Sequence, residues 1–222
     1  MSALDIEIWS DIACPWCWIG KRGLDAAIEA FNSPVVVRWN AFELDPQAPR
    51  EVAERIDYAQ RLAVKYGVER DAAQEMIDRM VATGRDRGLE LRFDRIRPSN
   101  TFDAHRLLAW AREAALQTEL QEALFNACFR EGRLVSDPAV LVDLAEQVGL
   151  DGRRAQEILS GDAYAGHVRD DERRAAEIGV TAVPCFVFPE ARAALSGAQP
   201  APVLLEAMKQ ARSRRADGPA GL

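Results

Sequence analysis

Cys14-Pro15-Trp16-Cys17 lies where an alternating apolar run gives way to an apolar segment with helical periodicity. The run before it occupies residues 4–10, and the segment after it begins at Pro15 and extends to Phe31. This order predicts a strand followed by a helix, with Cys14 at the N-terminus of the helix. The free backbone N–H groups and the positive end of the helix dipole favour a thiolate at that position.

The spacing of the two cysteines indicates redox chemistry. Two residues separate them, so the sulfur of Cys17 can reach that of Cys14 and form a disulfide. We predict that Cys14 attacks a substrate disulfide and that Cys17 resolves the mixed disulfide. A structural half-site for zinc is the alternative, but zinc normally takes four ligands, and the chain has no second Cys-x-x-Cys and no nearby pair of histidines. We therefore expect no metal, and no cofactor beyond the redox-active disulfide. Trp16 is expected either to shape the substrate surface or to pack at the start of the helix.

Size and composition limit the function classes. The 222 residues are 48% hydrophobic and 28% charged, as in an ordinary soluble globular protein of one large or two small domains. A net charge of −7 gives little support to nucleic-acid binding. No apolar run has the length of a membrane span, and the first residues lack the pattern of a signal peptide. We expect a cytoplasmic protein without nucleic-acid or membrane partners, either a monomer or a homodimer.

The order of the periodic segments predicts an α/β protein. Residues 35–42 form a second β-branched and aromatic run, and a period of 3.6 then continues for over a hundred residues. The strand pattern returns at residues 185–188 and 193–196, and Pro200 and Pro202 open a final helix. One α/β domain interrupted by a helical insertion explains this order better than two consecutive domains.

Val183-Pro184 directly precedes the third predicted strand. A cis bond there would expose the backbone of Val183 for pairing with an extended peptide. An ordinary trans proline is also permitted at the first residue of a strand. The residues alone favour the trans bond, since only about one X–Pro bond in twenty is cis.

The chain resembles the DsbA-like thioredoxin superfamily, and in particular its FrnE-like branch. The resemblance spans about residues 4–210 and rests on DIACPWCWIG at residues 11–20, NTFDAHRL at 100–107, GVTAVP at 179–184 and LSGAQP at 195–200. It implies a thioredoxin-like fold, with a central mixed sheet flanked by helices and a large all-helical insertion packed beside the active site. Residues 1–44 and 166–222 would form the discontinuous thioredoxin-like domain, and residues 45–165 the insertion.

The resemblance also implies a substrate-binding site. Pro184 would be cis and face the two cysteines, with a thiol- or disulfide-containing protein, or glutathione as co-substrate, lying against Val183 and Pro184. His105 would either lean over the active site or form a hydrogen bond at the domain seam. Gln199 lies where related enzymes open their last helix, whose N-terminus can hold an anion such as a glutathione carboxylate. Capping of that helix by Ser196 is the simpler account.

Three further positions carry expectations. Many thioredoxin-like proteins have a buried acid six residues before the first cysteine, where this chain has Ile8, and Asp11 and Glu7 are weak substitutes for it. Cys128 is expected to pack, and Cys185 to lie near the active disulfide as a small apolar group.

We predict a dithiol–disulfide oxidoreductase. The first alternative is a glutathione-dependent enzyme of the kappa-class transferase or 2-hydroxychromene-2-carboxylate isomerase type. Such enzymes use a serine at the position of Cys14. The second alternative is a binding module that holds unfolded chains against Trp16 and Trp18.

Overall fold

The computed structural model describes residues 3–50 and 57–216. Its sheet contains β1 (Leu4–Ser10), β2 (Val35–Ala41), β3 (Cys185–Phe188) and β4 (Ala193–Ser196). The strand order is β2-β1-β3-β4, with β1 and β2 parallel and the other two pairs antiparallel. The sheet is thus mixed, and its strands come from both ends of the chain, as the resemblance implies.

The described helices follow one another between and after these strands. They are α1 (Pro15–Phe31), α2 (Tyr58–Tyr66), α3 (Arg70–Arg85), α4 (Phe102–Ala111), α5 (Gln117–Asn126), α6 (Pro138–Gln147), α7 (Gly152–Ser160), α8 (Ala165–Glu177) and α9 (Ala201–Ala216). A π-helical turn, Ala127–Glu131, continues α5, and a 3-10 turn, Pro189–Ala191, joins β3 to β4. Within the described ranges, no helix combines the length and apolar character that a membrane crossing requires.

The two faces of the sheet carry different layers because side chains alternate along a strand. Ile6 and Ile8 of β1 and Phe186 of β3 point to the face that α1 and α9 cover, in a core that also contains Leu204. Trp9 of β1 lies on the opposite face, against α8. Both faces of the central strands are therefore buried by helices.

A larger apolar core lies beside the sheet and is built by α2 to α7. The first turn of α1 takes part in it, since Cys14, Cys17 and Trp18 all pack there. The two cysteines therefore lie where the sheet layer meets the helical layer. That junction positions the candidate site.

Most predicted elements are confirmed, with small differences at their ends. The second strand ends at Ala41 and not at residue 42. The periodicity of the sequence also predicts a helix from about residue 162 to residue 178, and in the structure this helix, α8, begins at Ala165. The later start of α8 follows from Tyr164, whose left-handed backbone (φ 63°) cannot belong to a helix. α7, which begins after the N-cap Asp151, was not predicted. The predicted domain limits include residues 1–2, 51–56 and 217–222, which lie outside the described residues, and the division stays a prediction.

Candidate active site

Cys14 is the N-cap residue of α1, and Cys17 lies in the first turn of the same helix. The Cys14 backbone N–H donates to the carbonyl of Asp11 (3.1 Å), and the Cys17 N–H donates to the carbonyl of Cys14 (3.0 Å). Pro15 occupies the first helical turn, where its missing N–H costs nothing. All four cysteines of the chain are free thiols. The sequence therefore positions the first sulfur at the N-terminus of the helix, as expected.

The Val183–Pro184 bond is cis, as the resemblance implies, and it lies against Cys14. The Cys14 thiol donates to the carbonyl oxygen of Val183 over 3.7 Å. α1 approaches this loop closely because Gly20 has no side chain, and a Cβ there would lie 2.9 Å from Cγ of Pro184. Two motifs 169 residues apart in sequence thus meet in one site.

Cys17 is fully buried in the first turn of α1. Ser10 is on the same sheet face as Ile6 and Ile8, and that face is covered by α1. Burial raises the pKa of the Cys17 thiol well above its ordinary value, and the nearby Cys14 sulfur raises it further. The Ser10 hydroxyl and the Asp11 backbone N–H face the Cys17 sulfur and partly offset this rise. Sequence reasoning missed Ser10, although the alternation of β1 places it on the face that α1 covers.

Asp11 holds the loop between β1 and α1. Its carboxylate accepts hydrogen bonds from the backbone N–H groups of Ala13 (3.1 Å) and Leu44 (2.7 Å). Nε2 of His105 lies 3.6 Å from Oδ1 of Asp11, and both side chains are buried. Burial alone would raise the pKa of Asp11, but His105 and the two backbone N–H groups outweigh it and hold that pKa below its usual range. His105 is therefore placed beside Asp11, at the seam between α4 and the loop.

Glu7 lies away from the cysteines. Its side chain points to the face of β1 opposite α1 and forms an ion pair with Arg174 of α8. Ile8, at the position where related proteins carry a buried acid, is fully buried in the apolar core under α1. Of the two proposed substitutes, only Asp11 adjoins the first turn of α1.

Gln199 lies in the segment between β4 and α9. Its side-chain NH₂ group donates to the backbone carbonyl of Ser196 (2.6 Å), and the backbone carbonyl of Gln199 accepts a hydrogen bond from the Arg87 side chain (3.2 Å). Capping of the last helix by Ser196 is wrong, because Ser196 ends β4. The carbonyl of Pro200 instead accepts the N–H of Val203 (3.0 Å) in the first turn of α9.

The other two cysteines pack in apolar surroundings. Cys185 points to the α8 face of the sheet, where it packs with Trp9 and Ala175. Cys14 and Cys17 instead belong to the larger core that α2 to α7 build. Burial raises the pKa of Cys185, and burial together with the charge of Asp11 raises the pKa of Cys128 to about 12. Both thiols therefore behave as small apolar groups. Within the described ranges, no three His, Cys, Asp or Glu side chains are grouped to hold a metal ion.

A cleft of about 490 Å³ opens beside Cys14 between the first turn of α1 and the helices α2 and α3. Trp16 lines it and is 39% exposed. Aromatic, methionine and charged side chains also line it, among them Tyr58, Lys65, Tyr66, Met76, Arg79, Met80 and Asp86. The sequence predicted helical structure after residue 42 but not that α2 and α3 lie beside the thiol, because only the tertiary fold brings these elements together.

Comparison with known proteins gives a family match. A family model described as a DSBA-like thioredoxin domain matches residues 5–209. The chain is 39% identical to a probable DsbA oxidoreductase from Streptomyces coelicolor, whose structure it matches with a TM-score of 0.89. This match covers 99% of the present chain and 93% of that protein.

Two more distant structures share the fold. A 2-hydroxychromene-2-carboxylate isomerase is 18% identical, with a TM-score of 0.66 and coverage of 98% of this chain and all of that one (100%). The cytosolic disulfide reductase DsbM from Pseudomonas aeruginosa, solved with glutathione, is 21% identical, with a TM-score of 0.56 and 96% coverage of each chain. The same fold thus serves a disulfide reductase and an isomerase.

Proposed function

Because the chain belongs to the DSBA-like thioredoxin domain family, we propose that it is a dithiol–disulfide oxidoreductase acting through Cys14 and Cys17. One observation carries the proposal: Cys14, at the N-cap position of α1, contacts the backbone of the cis Val183–Pro184 bond, and Cys17 is buried in the following turn. A nucleophile, a resolving thiol and a backbone surface for substrate are therefore within one site. The proposed compartment is the cytoplasm, where a close cysteine pair serves redox chemistry and not structure.

The mechanism follows from the different surroundings of the two sulfurs. The Cys14 thiolate attacks one sulfur of a substrate disulfide, a Cys14–substrate disulfide forms, and the other substrate sulfur leaves as a thiolate. Cys17 then loses its proton to solvent and attacks the Cys14 sulfur, which releases the second substrate thiolate. The substrate gains two electrons, and the Cys14–Cys17 pair becomes a disulfide. The reverse sequence oxidises a substrate dithiol.

Val183 gives the substrate a backbone partner. Its carbonyl accepts from Cys14, while its N–H has no acceptor in the part of the chain that the structure describes. An extended peptide, including the backbone of glutathione, can supply that acceptor in the manner of an added strand. The proposed partners are therefore thiol- or disulfide-containing proteins or glutathione.

The experiment compares Cys14→Ser, Cys17→Ser and the control Cys185→Ala. We expect Cys14→Ser to abolish exchange with a disulfide substrate, and Cys17→Ser to accumulate a mixed disulfide visible by mass spectrometry. Cys185→Ala should exchange as the wild type does, since its sulfur packs on the opposite sheet face. Exchange that persists in Cys14→Ser would overturn the proposal.

A redox titration against glutathione gives the reduction potential of the Cys14–Cys17 pair, which indicates whether the protein oxidises or reduces its substrates. Trp16 and Trp18 flank Cys17 and provide the fluorescence signal. A potential near about −120 to −200 mV would identify an oxidant or isomerase, and one near about −270 mV a reductase.

The second candidate is a glutathione-dependent transferase or isomerase. The open cleft beside Cys14 favours it, because such an enzyme needs room for a second substrate next to the glutathione sulfur. In that reaction the glutathione thiol performs the chemistry, so glutathione-dependent turnover would survive Cys14→Ser. The same variant therefore separates the two candidates.

A further inference from the structure

The cleft beside Cys14 has the size and shape of a small-molecule site. Its volume of about 490 Å³ lies within the range of about 300–1,000 Å³ that ligand pockets occupy. Trp16, Tyr58 and Tyr66 offer aromatic surface, and Met76 and Met80 offer flexible apolar surface. Because Trp16 and Tyr66 are 39% and 54% exposed, a ligand that covers them removes apolar area from water.

The charges that line the cleft depart from those of the whole chain. The chain carries a net charge of −7, yet Lys65 of α2 and Arg79 of α3 line the cleft against one acid, Asp86. Arg79 is 3.7 Å from Glu75, and both side chains are largely exposed, so this ion pair is weak. Lys65 has no carboxylate at ion-pair distance in the described part of the chain and lies 5.8 Å from the Tyr66 ring. Two cations are therefore available to a ligand.

We propose that this cleft selects a small disulfide with an aromatic or similarly apolar body and a carboxylate, which pairs with Lys65 and Arg79. The inference rests on the proposed function, since the ligand reacts there with Cys14. The Cys14 thiolate attacks the nearer sulfur of the ligand, a Cys14–ligand disulfide forms, and the other half leaves as a thiolate. Attack by Cys17 releases the second half, and an external thiol such as dithiothreitol reduces the Cys14–Cys17 disulfide again.

The test uses two aromatic disulfides that differ in charge. Dithiobis(nitrobenzoate) carries a carboxylate on each ring, whereas dithiodipyridine is neutral, and the thiolate or thione that each releases can be followed by its absorbance. The reduced protein is mixed with each probe at increasing concentration, and the half-saturating concentration is measured for the wild type and for Lys65→Gln/Arg79→Gln. The matched control is Lys209→Gln/Arg153→Gln, which removes the same two charges from exposed positions on α9 and α7.

We expect the cleft variant to raise the half-saturating concentration of dithiobis(nitrobenzoate) about five- to tenfold, as the loss of two partly exposed ion pairs implies. The value for dithiodipyridine should change less than about twofold, and the control variant should leave both probes at wild-type values. Tyr66→Ala should raise the half-saturating concentrations of both probes by a similar factor, because it removes aromatic surface and no charge.

Three results would overturn the inference while the proposed function stands. In the first, the half-saturating concentrations of both probes rise equally in the cleft variant. In the second, neither concentration rises in that variant. In the third, the control variant shows the same rise as the cleft variant. A wild-type protein whose thiols react with neither probe, and show no redox couple with glutathione, would instead contradict the proposed function.

Discussion

Ser10 places a hydroxyl beneath the first turn of α1, two residues after Ile8 on the same face of β1. The residue is 1% exposed, and its oxygen makes no hydrogen bond of normal geometry with the described residues. A buried hydroxyl without a partner is costly, so its position facing the Cys17 sulfur calls for a reason. Cys17 must ionise before it attacks the mixed disulfide. Its thiolate can then accept a hydrogen bond from the Ser10 hydroxyl, which the neutral thiol does not accept.

Ser10→Ala should therefore slow the resolution of the mixed disulfide. A hydrogen bond to a charged acceptor contributes about 1.5–3 kcal/mol, so we expect a loss of about ten- to hundredfold at pH 7. The rate should recover as pH rises, because the unassisted thiolate forms at higher pH. Stopped-flow fluorescence of the mixed disulfide measures this rate.

The Cys17→Ser background supplies the control for Ser10. The first attack, by Cys14, does not involve ionisation of Cys17, so Ser10→Ala should leave it unchanged in that background. If the variant slowed both steps equally, or neither, the role assigned to Ser10 would be wrong.

Asp11→Asn should destabilise the protein at pH 7 by about 1–3 kcal/mol. The two carboxylate oxygens of Asp11 accept from the backbone N–H groups of Ala13 and Leu44, one each, whereas in asparagine an NH₂ group replaces one of these oxygens and would face one of the two N–H donors. The pKa of Asp11 is lowered in the folded protein, so its contribution is present above the ordinary value of 3.8 and disappears as pH falls through the lowered pKa. The difference in unfolding free energy between wild type and variant should thus narrow below about pH 4. Urea unfolding at pH 7 and pH 3 measures it, with the exposed Asp162→Asn as control. A constant difference would contradict the assignment.

At the scale of elements, the sequence predicts features that depend on neighbouring residues, such as the bounds of a strand, and misses features that depend on contacts between distant elements. The bounds of β1, α1, β3 and β4 follow from the alternation, the cysteine motif and the prolines, and they agree with the structure. α7 was missed because its apolar face, Ala155, Ile158 and Leu159, is only about one turn long, although its i, i+3, i+4 spacing is that of a helix. The cis bond was implied only by the resemblance, since the residues alone favour the trans isomer. The cleft could not be predicted, because α1, α2 and α3 meet there only after folding.

Gly23 on α1 tests the close approach between that helix and the segment before α9. A Cβ at this position would overlap the carbonyl oxygen of Gln199, a backbone atom that cannot rotate away. We expect Gly23→Ala to cost about 1–3 kcal/mol from overpacking, which exceeds the helix-propensity gain of about 1 kcal/mol. Gly166→Ala on α8 should be neutral or stabilising, since nothing lies within 4 Å of the added methyl. Thermal unfolding compares the two, and a stabilised Gly23→Ala would contradict the packing argument.

At the scale of the whole molecule, α1 belongs to two apolar cores: the core that it and α9 form on one face of the sheet, and the larger core built by α2 to α7. A polar cluster on its outer face joins it to α5, where Glu122 accepts from Trp18 Nε1 (3.0 Å) and pairs with Lys21 (3.2 Å) and Arg22. Burial would raise the pKa of Glu122, but Lys21, Arg22 and the Trp18 N–H outweigh it and hold that pKa below its usual range. One carboxylate therefore links the sheet layer to the helical layer.

Glu122→Gln tests whether the two layers unfold together. The Lys21 side chain is only 6% exposed, and it would keep Asp25 (2.9 Å) as its sole carboxylate partner within the described residues. A buried cation that loses one of two partners should cost about 1–3 kcal/mol. Because α1 takes part in both cores, the urea midpoints by tryptophan fluorescence and by far-UV circular dichroism should fall by the same amount. Glu119→Gln, an exposed change on the same helix, should leave both midpoints nearly unchanged. Midpoints that separate in Glu122→Gln would show that the helical layer unfolds independently of the sheet, and that α1 does not couple them.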